Sequence, residues 1–371
     1  MSSDEAAARF ARLRDFLVVD PTNVRLAIDC AEAALAANLA DEASAVLAPF
    51  VEQGVLDDAA LNLAGIAALR NGDQAAAQTL FAQLAERHPA DTGLRFNMAW
   101  SRALQGDFAG AIDTLDEDTT AALPQAAMLD LQMRHEVGDF DGAEARLESY
   151  IERYPDYAPL QAAASVLAMD VDRPDIARQC AERGGDNPDA LATLGTLSLG
   201  DDQHEAARIL FERSILEREK NPRAHLGLGL TMLASGDAKG ALPHLDRGAE
   251  QFGDHLGSWL ASGWAHLLAG ETEAARARFE RALAEDDTFG EAQGSLAVMD
   301  ALAGEFDAAR RRAEVAVRLD RQSFSAALAG IILASADGDQ ERAQRIFETA
   351  ARQPLSHDGR TLAEMLAKTS I

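Results

Sequence analysis

The stretch LAGETEAARARFERALAEDD, starting at Leu268, is nearly restated 34 residues later as LAGEFDAARRRAEVAVRLDR, starting at Leu302. A chain that repeats itself at such a fixed interval is built from one small unit stacked many times. One unit alone cannot bury its apolar face, so neighbours must supply the core. The repetition reaches well beyond these two copies. A Gly followed five positions on by Ala recurs as Gly72 with Ala77, Gly106 with Ala111, Gly138 with Ala143 and Gly236 with Ala241. It recurs again as Gly270 with Ala275, Gly304 with Ala309 and Gly338 with Ala343. Three degenerate copies keep the Ala: Asn38 with Ala43, Asp172 with Ala177 and Asp202 with Ala207. Successive anchors are 34, 34, 32, 34, 30, 34, 34, 34 and 34 residues apart.

Each unit is predicted to be two helices. An apolar segment of helical period, such as HLGLGLTMLAS, precedes the anchor. Gly or Asn then closes that helix, because the C-cap needs left-handed backbone. Asp or Glu follows where it complements the exposed N–H groups of the second helix. The second helix carries the Ala and, four positions later, a large apolar residue: Phe81, Phe211, Phe279 and Phe347, or Leu47, Leu115, Leu147 and Leu245. Spacing of four puts both on one face. Proline closes units at Pro21, Pro89 and Pro155 and opens helices at Pro124, Pro188 and Pro222.

Aromatics are only 5 % of the 371 residues, and Ala is abundant, which suits helices packed at close range. Net charge is −27, with residues 1–190 contributing −19. Such a field repels phosphate, which argues against nucleic acid and anionic membranes as partners. A partner with a basic surface fits it better. Of 34 basic residues 31 are Arg, a bias associated with GC-rich bacterial genomes. No apolar run is long enough to span a membrane. No signal-peptide pattern opens the chain, so the cytoplasm is the expected location. Cys30 and Cys180 are 150 residues apart and are expected to be buried thiols.

These features resemble the tetratricopeptide repeat (TPR) family. Its small position falls on Gly65, Ala99, Gly195, Gly229, Gly263 and Ala297, seven residues before each anchor, and its Trp position on Trp259. Phe108, Phe140 and Phe306 fall on a frequent aromatic position, while Leu131, Ser165 and Ile331 break the small one. The resemblance implies an all-α, right-handed α-α superhelix, a solenoid of about ten helix–turn–helix repeats with capping helices at both ends. The expected division is an N-terminal cap in residues 1–21, repeats one to five in 22–188, repeats six to ten in 189–355 and a C-terminal cap in 356–371. Shortened units fall between Asp107 and Pro188, where DTLDEDTTAALPQ and RQCAERGGDNP read as truncated second helices and loops.

Catalytic patterns are not found. There is no phosphate-binding Gly loop and no GxSxG, so no enzyme, cofactor or metal is expected. Asp113, Asp116, Glu117 and Asp118 lack the spacing of a calcium loop and are expected to be a solvated loop. His225, His244, His255 and His266 lack the helical spacing of a zinc site.

What is left is a binding surface. In the TPR family the first helices line a concave groove. On that frame the groove side chains are Asn62, Ile66, Arg70, Phe96, Trp100 and Leu104 in the first half. In the second half they are Arg223, Leu226, Leu230, Leu233, Leu260, Trp264, Leu267, Leu268, Val298, Leu328 and Ile332. The resemblance implies a non-enzymatic scaffold, adaptor or co-chaperone that holds a helical or extended segment of a partner protein. An accessory role in bacterial secretion or envelope assembly fits by analogy. Self-association into homo-oligomers and peptide-sensing regulation are the alternatives. The lysines of a carboxylate clamp for chaperone C-termini are absent.

Overall fold

The computed structural model describes residues 3–352, and all regular structure among them is α-helical. The chain divides into two compact units, Met1–Leu167 and Ala168–Ile371. The division falls inside a helix, one hairpin before the Pro188 boundary at which the sequence separates repeats five and six.

In the first unit α1 (Ser3–Val19) precedes the hairpins α2 (Val24–Ala36) with α3 (Ala40–Glu52), and α4 (Asp58–Arg70) with α5 (Gln74–Arg87). Next come α6 (Thr92–Leu104) with α7 (Phe108–Thr114), the short α8 (Glu117–Ala122), and α9 (Pro124–Glu136) with α10 (Phe140–Arg153). Helix α11 (Ala158–Asp170) spans the division. The second unit continues with α12 (Pro174–Gly184), then α13 (Pro188–Gly200) with α14 (His204–Glu217), and α15 (Pro222–Ala234) with α16 (Ala238–Phe252). It goes on with α17 (Leu256–Leu268) and α18 (Thr272–Glu285), and with α19 (Gly290–Leu302) and α20 (Phe306–Leu319). The last described pair is α21 (Phe324–Ala336) with α22 (Gln340–Ala351). The solenoid of TPR-type hairpins anticipated from the repeat is the observed fold.

All ten anchors have positive φ, from 57° at Asp172 to 84° at Gly270. Asn38, Asp172 and Asp202 adopt the left-handed turn as the glycines do, since short polar side chains tolerate it. The next residue caps the second helix when it is Asp: Asp73, Asp107, Asp139, Asp237 and Asp339 each accept a hydrogen bond from the N–H three positions on. Glu271 and Glu305, one methylene longer, make no such bond.

The small position has a steric cause. A Cβ built on Gly263 would lie 2.4 Å from the Phe279 ring, and one on Gly65 2.5 Å from Phe81. Glycine thus lets the first helix approach the aromatic of its own second helix. That aromatic also meets the following first helix: Phe279 is buried with Leu296, and Phe211 with Leu228. At these joints the core runs from one hairpin into the next.

At the start of the chain Phe10 of α1 packs into the first core cluster, with Leu13 and Leu17 against it. The expected C-terminal cap, 356–371, lies outside the described residues. The acidic run is not all loop: Asp116 caps α8, accepting from Thr119, and pairs with Arg95, while Glu117 and Asp118 form the first turn of α8. A helix N-terminus favours these carboxylates, which composition alone did not reveal. Cys30 and Cys180 are buried, and burial raises both thiols, Cys180 to about 11. Both act as small apolar fillers.

Candidate protein-binding surfaces

In the first unit, Asn62 of α4 and Phe96 of α6 share the lining of a recess of about 400 Å³. Asn97 donates a hydrogen bond to Asn62 at 3.2 Å across it. On its edge Asp58 accepts from His88 and Arg87, both at 2.6 Å, and these bonds hold its carboxyl below the usual range. The Phe96 and Trp100 rings are 5.9 Å apart. Ile66 and Trp100 are half-buried against the neighbouring core, and Arg70 is exposed at the end of α4. This surface mixes carboxylates, amides and two aromatic rings.

In the second unit the surface is more apolar. Leu226 and Leu233 pack onto Ala241, Leu245 and Ala265, while Leu230 between them is 36 % exposed. Leu260, Trp264 and Leu267 rest on Phe279, Leu296 and Met299, with the Trp264 ring edge-on to Phe279 at 5.5 Å. Leu328 and Ile332 join Trp264 and Leu267 over Ala297 and Ala329. Leu268 stands 69 % exposed at the end of α17. One expectation is corrected: Val298 is 1 % exposed, sealed beneath Trp264, Leu267 and Ile332, and so belongs to the core. Large side chains on the flanking first helices close over it. Trp259 is interior, as its repeat position implies; its indole N–H donates to the Gly253 carbonyl.

The titratable clusters are structural. The His225 and His244 rings stack with Nδ1 atoms 3.3 Å apart, and burial lowers the proton affinity of both. Asp246 of α16 accepts from Ser262 and pairs with His266 of α17 and Arg278 of α18. Burial alone would push its carboxyl up, but the bonds from Arg278 and Ser262 outweigh that and hold it at about 2. Ser262 bonds the carboxylate rather than the imidazole, so this is a clamp between helices and not a nucleophile with its base. Among the described residues no group of three or more His, Cys, Asp or Glu is arranged to hold a metal.

One feature escaped sequence reasoning. Between α20, α21 and α22 lies a cleft of about 850 Å³. Its signal was present: Ala313 stands where eight of the ten units carry Phe or Leu, and Gly330 where two others carry Leu228 and Leu296.

A stack of helical hairpins with apolar and polar faces on its first helices can present side chains to a partner. Tetratricopeptide repeat family models match residues 58–91 and 232–299. A TPR repeat-containing protein of Pseudomonas aeruginosa is 34 % identical over 82 residues, covering 22 % of this chain and 78 % of the relative. The chain belongs to the tetratricopeptide repeat family. Among solved structures, the human IFIT1 dimer with m7Gppp-AAAA aligns over 95 % of both chains at 12 % identity, TM-score 0.53. A tetratricopeptide repeat protein from Parabacteroides merdae aligns over 62 % of this chain and 93 % of its own, at 14 % identity and TM-score 0.47. TPR arrays are in general protein–protein interaction scaffolds, and no helix among the described residues is long and apolar enough to cross a membrane.

Proposed function

We propose that this chain is a non-enzymatic adaptor or co-chaperone of the bacterial cytoplasm that holds a helical or extended segment of a partner protein on its first helices. The observation that carries this reading is the apolar face of the second unit. There Trp264, Leu260, Leu267, Leu328 and Ile332 are half-buried, and Leu230 and Leu268 are exposed. Helix-in-groove recognition uses apolar anchors of this kind, and Trp is a frequent anchor. A net charge of −27 favours a partner with a basic surface and disfavours nucleic acid; the likeness to IFIT1 concerns the fold alone. The test compares proteins recovered from the native organism by the wild type with those recovered by Trp264→Ala and by Leu230→Glu. Leu230→Glu alters only a surface position, so loss of one discrete partner in both variants supports the reading. Recovery of the same partners by both variants overturns it.

Self-association is a second reading, favoured by the outer face of α1. Phe16, Val18 and Val19 are exposed there. Light scattering at micromolar concentration tests it: a dimer that Phe16→Glu converts to monomer supports it, and a wild-type monomer sinks it.

A further inference from the structure

We propose that the cleft between α20, α21 and α22 is a second binding site, which takes an acidic peptide segment bearing a large apolar side chain. The cleft follows from two truncations in one interlock. At two earlier joints a large residue four positions after the invariant Ala meets a Leu on the next first helix: Phe211 meets Leu228 and Phe279 meets Leu296. The corresponding residues here are Ala313 and Gly330. Two side chains that would fill the joint are absent, and a space of about 850 Å³ remains.

Its floor is apolar: Ala313, Ala326, Gly330, Leu333, Ile346 and Ala350. Its rim is basic. Arg310, Arg318, Arg321, Arg342 and Arg345 outnumber Glu314 and Asp337 in a chain of net charge −27. Arg310 is engaged by Asp337 at 2.6 Å and Arg345 by Glu341 at 3.7 Å. Among the described residues Arg318, Arg321 and Arg342 have no acidic partner within ion-pair distance and are exposed. Along α20 the lining residues Arg310, Ala313, Glu314, Val317 and Arg318 form one helical stripe, about 12 Å long at the helical rise, and Arg321 follows in the turn just beyond the helix. That length suits a short peptide segment. Guanidinium groups favour carboxylates, and the floor can accept the side chain that the joint itself lacks. The lining has no aromatic ring for a base to stack on, which favours peptide over single-stranded nucleic acid.

The probe is a fluorescein-labelled peptide of repeating Glu-Glu-Leu-Leu units, followed by fluorescence anisotropy on the full chain. The rest of this acidic surface repels such a probe, so binding reports on the basic cleft. The expected result is saturable binding that a Glu-Glu-Ser-Ser peptide does not show. It should weaken about tenfold or more in the double variant Arg318→Glu/Arg342→Glu and in Gly330→Leu. Raised salt should weaken it as well. Both arginines are exposed, so that variant keeps the fold even if Gly330→Leu disturbs packing. No binding by the wild type, or equal binding by the arginine variant, overturns the proposal. Displacement of the probe by single-stranded RNA as readily as by unlabelled peptide also overturns it. So does a tenfold gain in affinity on Leu362→Glu/Leu366→Glu, which would make the chain's own C-terminal segment the occupant.

Discussion

The joint between α18 and α19 and the joint between α20 and α21 occupy equivalent places in successive repeats, yet they are packed in opposite ways. In the first, Phe279 fills the space between Gly263 and Leu296 with no room to spare. In the second, Ala313 and Gly330 leave a cleft. A solenoid is held together by nearest-neighbour joints, so each joint can be tuned separately. A filled joint gives stability to the array; an open one leaves a cavity on its surface, at a local cost in packing.

The largest test of this contrast is Phe279→Ala, which should lower the stability of the α18–α19 joint by about 3–5 kcal/mol. Hydrogen exchange of the amides in α17–α19 measures it; an unchanged exchange rate would mean that the interlock carries little. Gly263→Ala comes next, with a cost of about 1–3 kcal/mol, because its Cβ would stand 2.4 Å from the Phe279 ring. The same change at Gly330 should have the opposite sign. Its Cβ would meet Ile346 at an ordinary 3.5 Å, so Ala is expected to stabilise the helix by about 0.5–1 kcal/mol.

Acid sharpens the contrast differently. Asp246 clamps α16 to α17 and α18 beside the filled joint, and its folded carboxyl titrates at about 2. A depressed carboxyl contributes stability above its ordinary value near 4 and loses it as pH falls toward 2. Acid titration followed by circular dichroism should therefore show Asp246→Asn with a shallower loss over that window, by up to about 2 kcal/mol. The smallest effect belongs to Arg310→Ala at the open joint. Its bond to Asp337 is exposed on both sides, so the change should be under about 1 kcal/mol and weaken further in salt.

Much of this was legible in the sequence because it depends on local rules. The anchors had to be Gly, Asn or Asp, since only such residues enter left-handed backbone cheaply, and all ten do. The small position had to be small beside Phe81, Phe211 and Phe279, whose rings leave no room for a Cβ on Gly65, Gly195 or Gly263, whereas Ile331 stands in the unit of the partly exposed Phe347. Trp259 was placed inside by its position in the family's repeat, and it is interior. The site was less legible. Projection onto a helix face put Val298 in the groove, but the closure of Trp264, Leu267 and Ile332 over it depends on neighbouring repeats. The short α8 looked like loop because its acidic residues match a cap as well as a solvated turn.

The period, the turns, the caps and the hairpin fold were thus determined by the sequence alone, because each is enforced within one repeat or between adjacent ones. Which side chains remain open to a partner was decided only in the tertiary structure. Exposure is a property of what the neighbouring hairpins leave uncovered. The cleft beside Gly330 shows this: two small residues on different helices, 17 positions apart, mean nothing singly and make a cavity only when α20 and α21 are laid side by side.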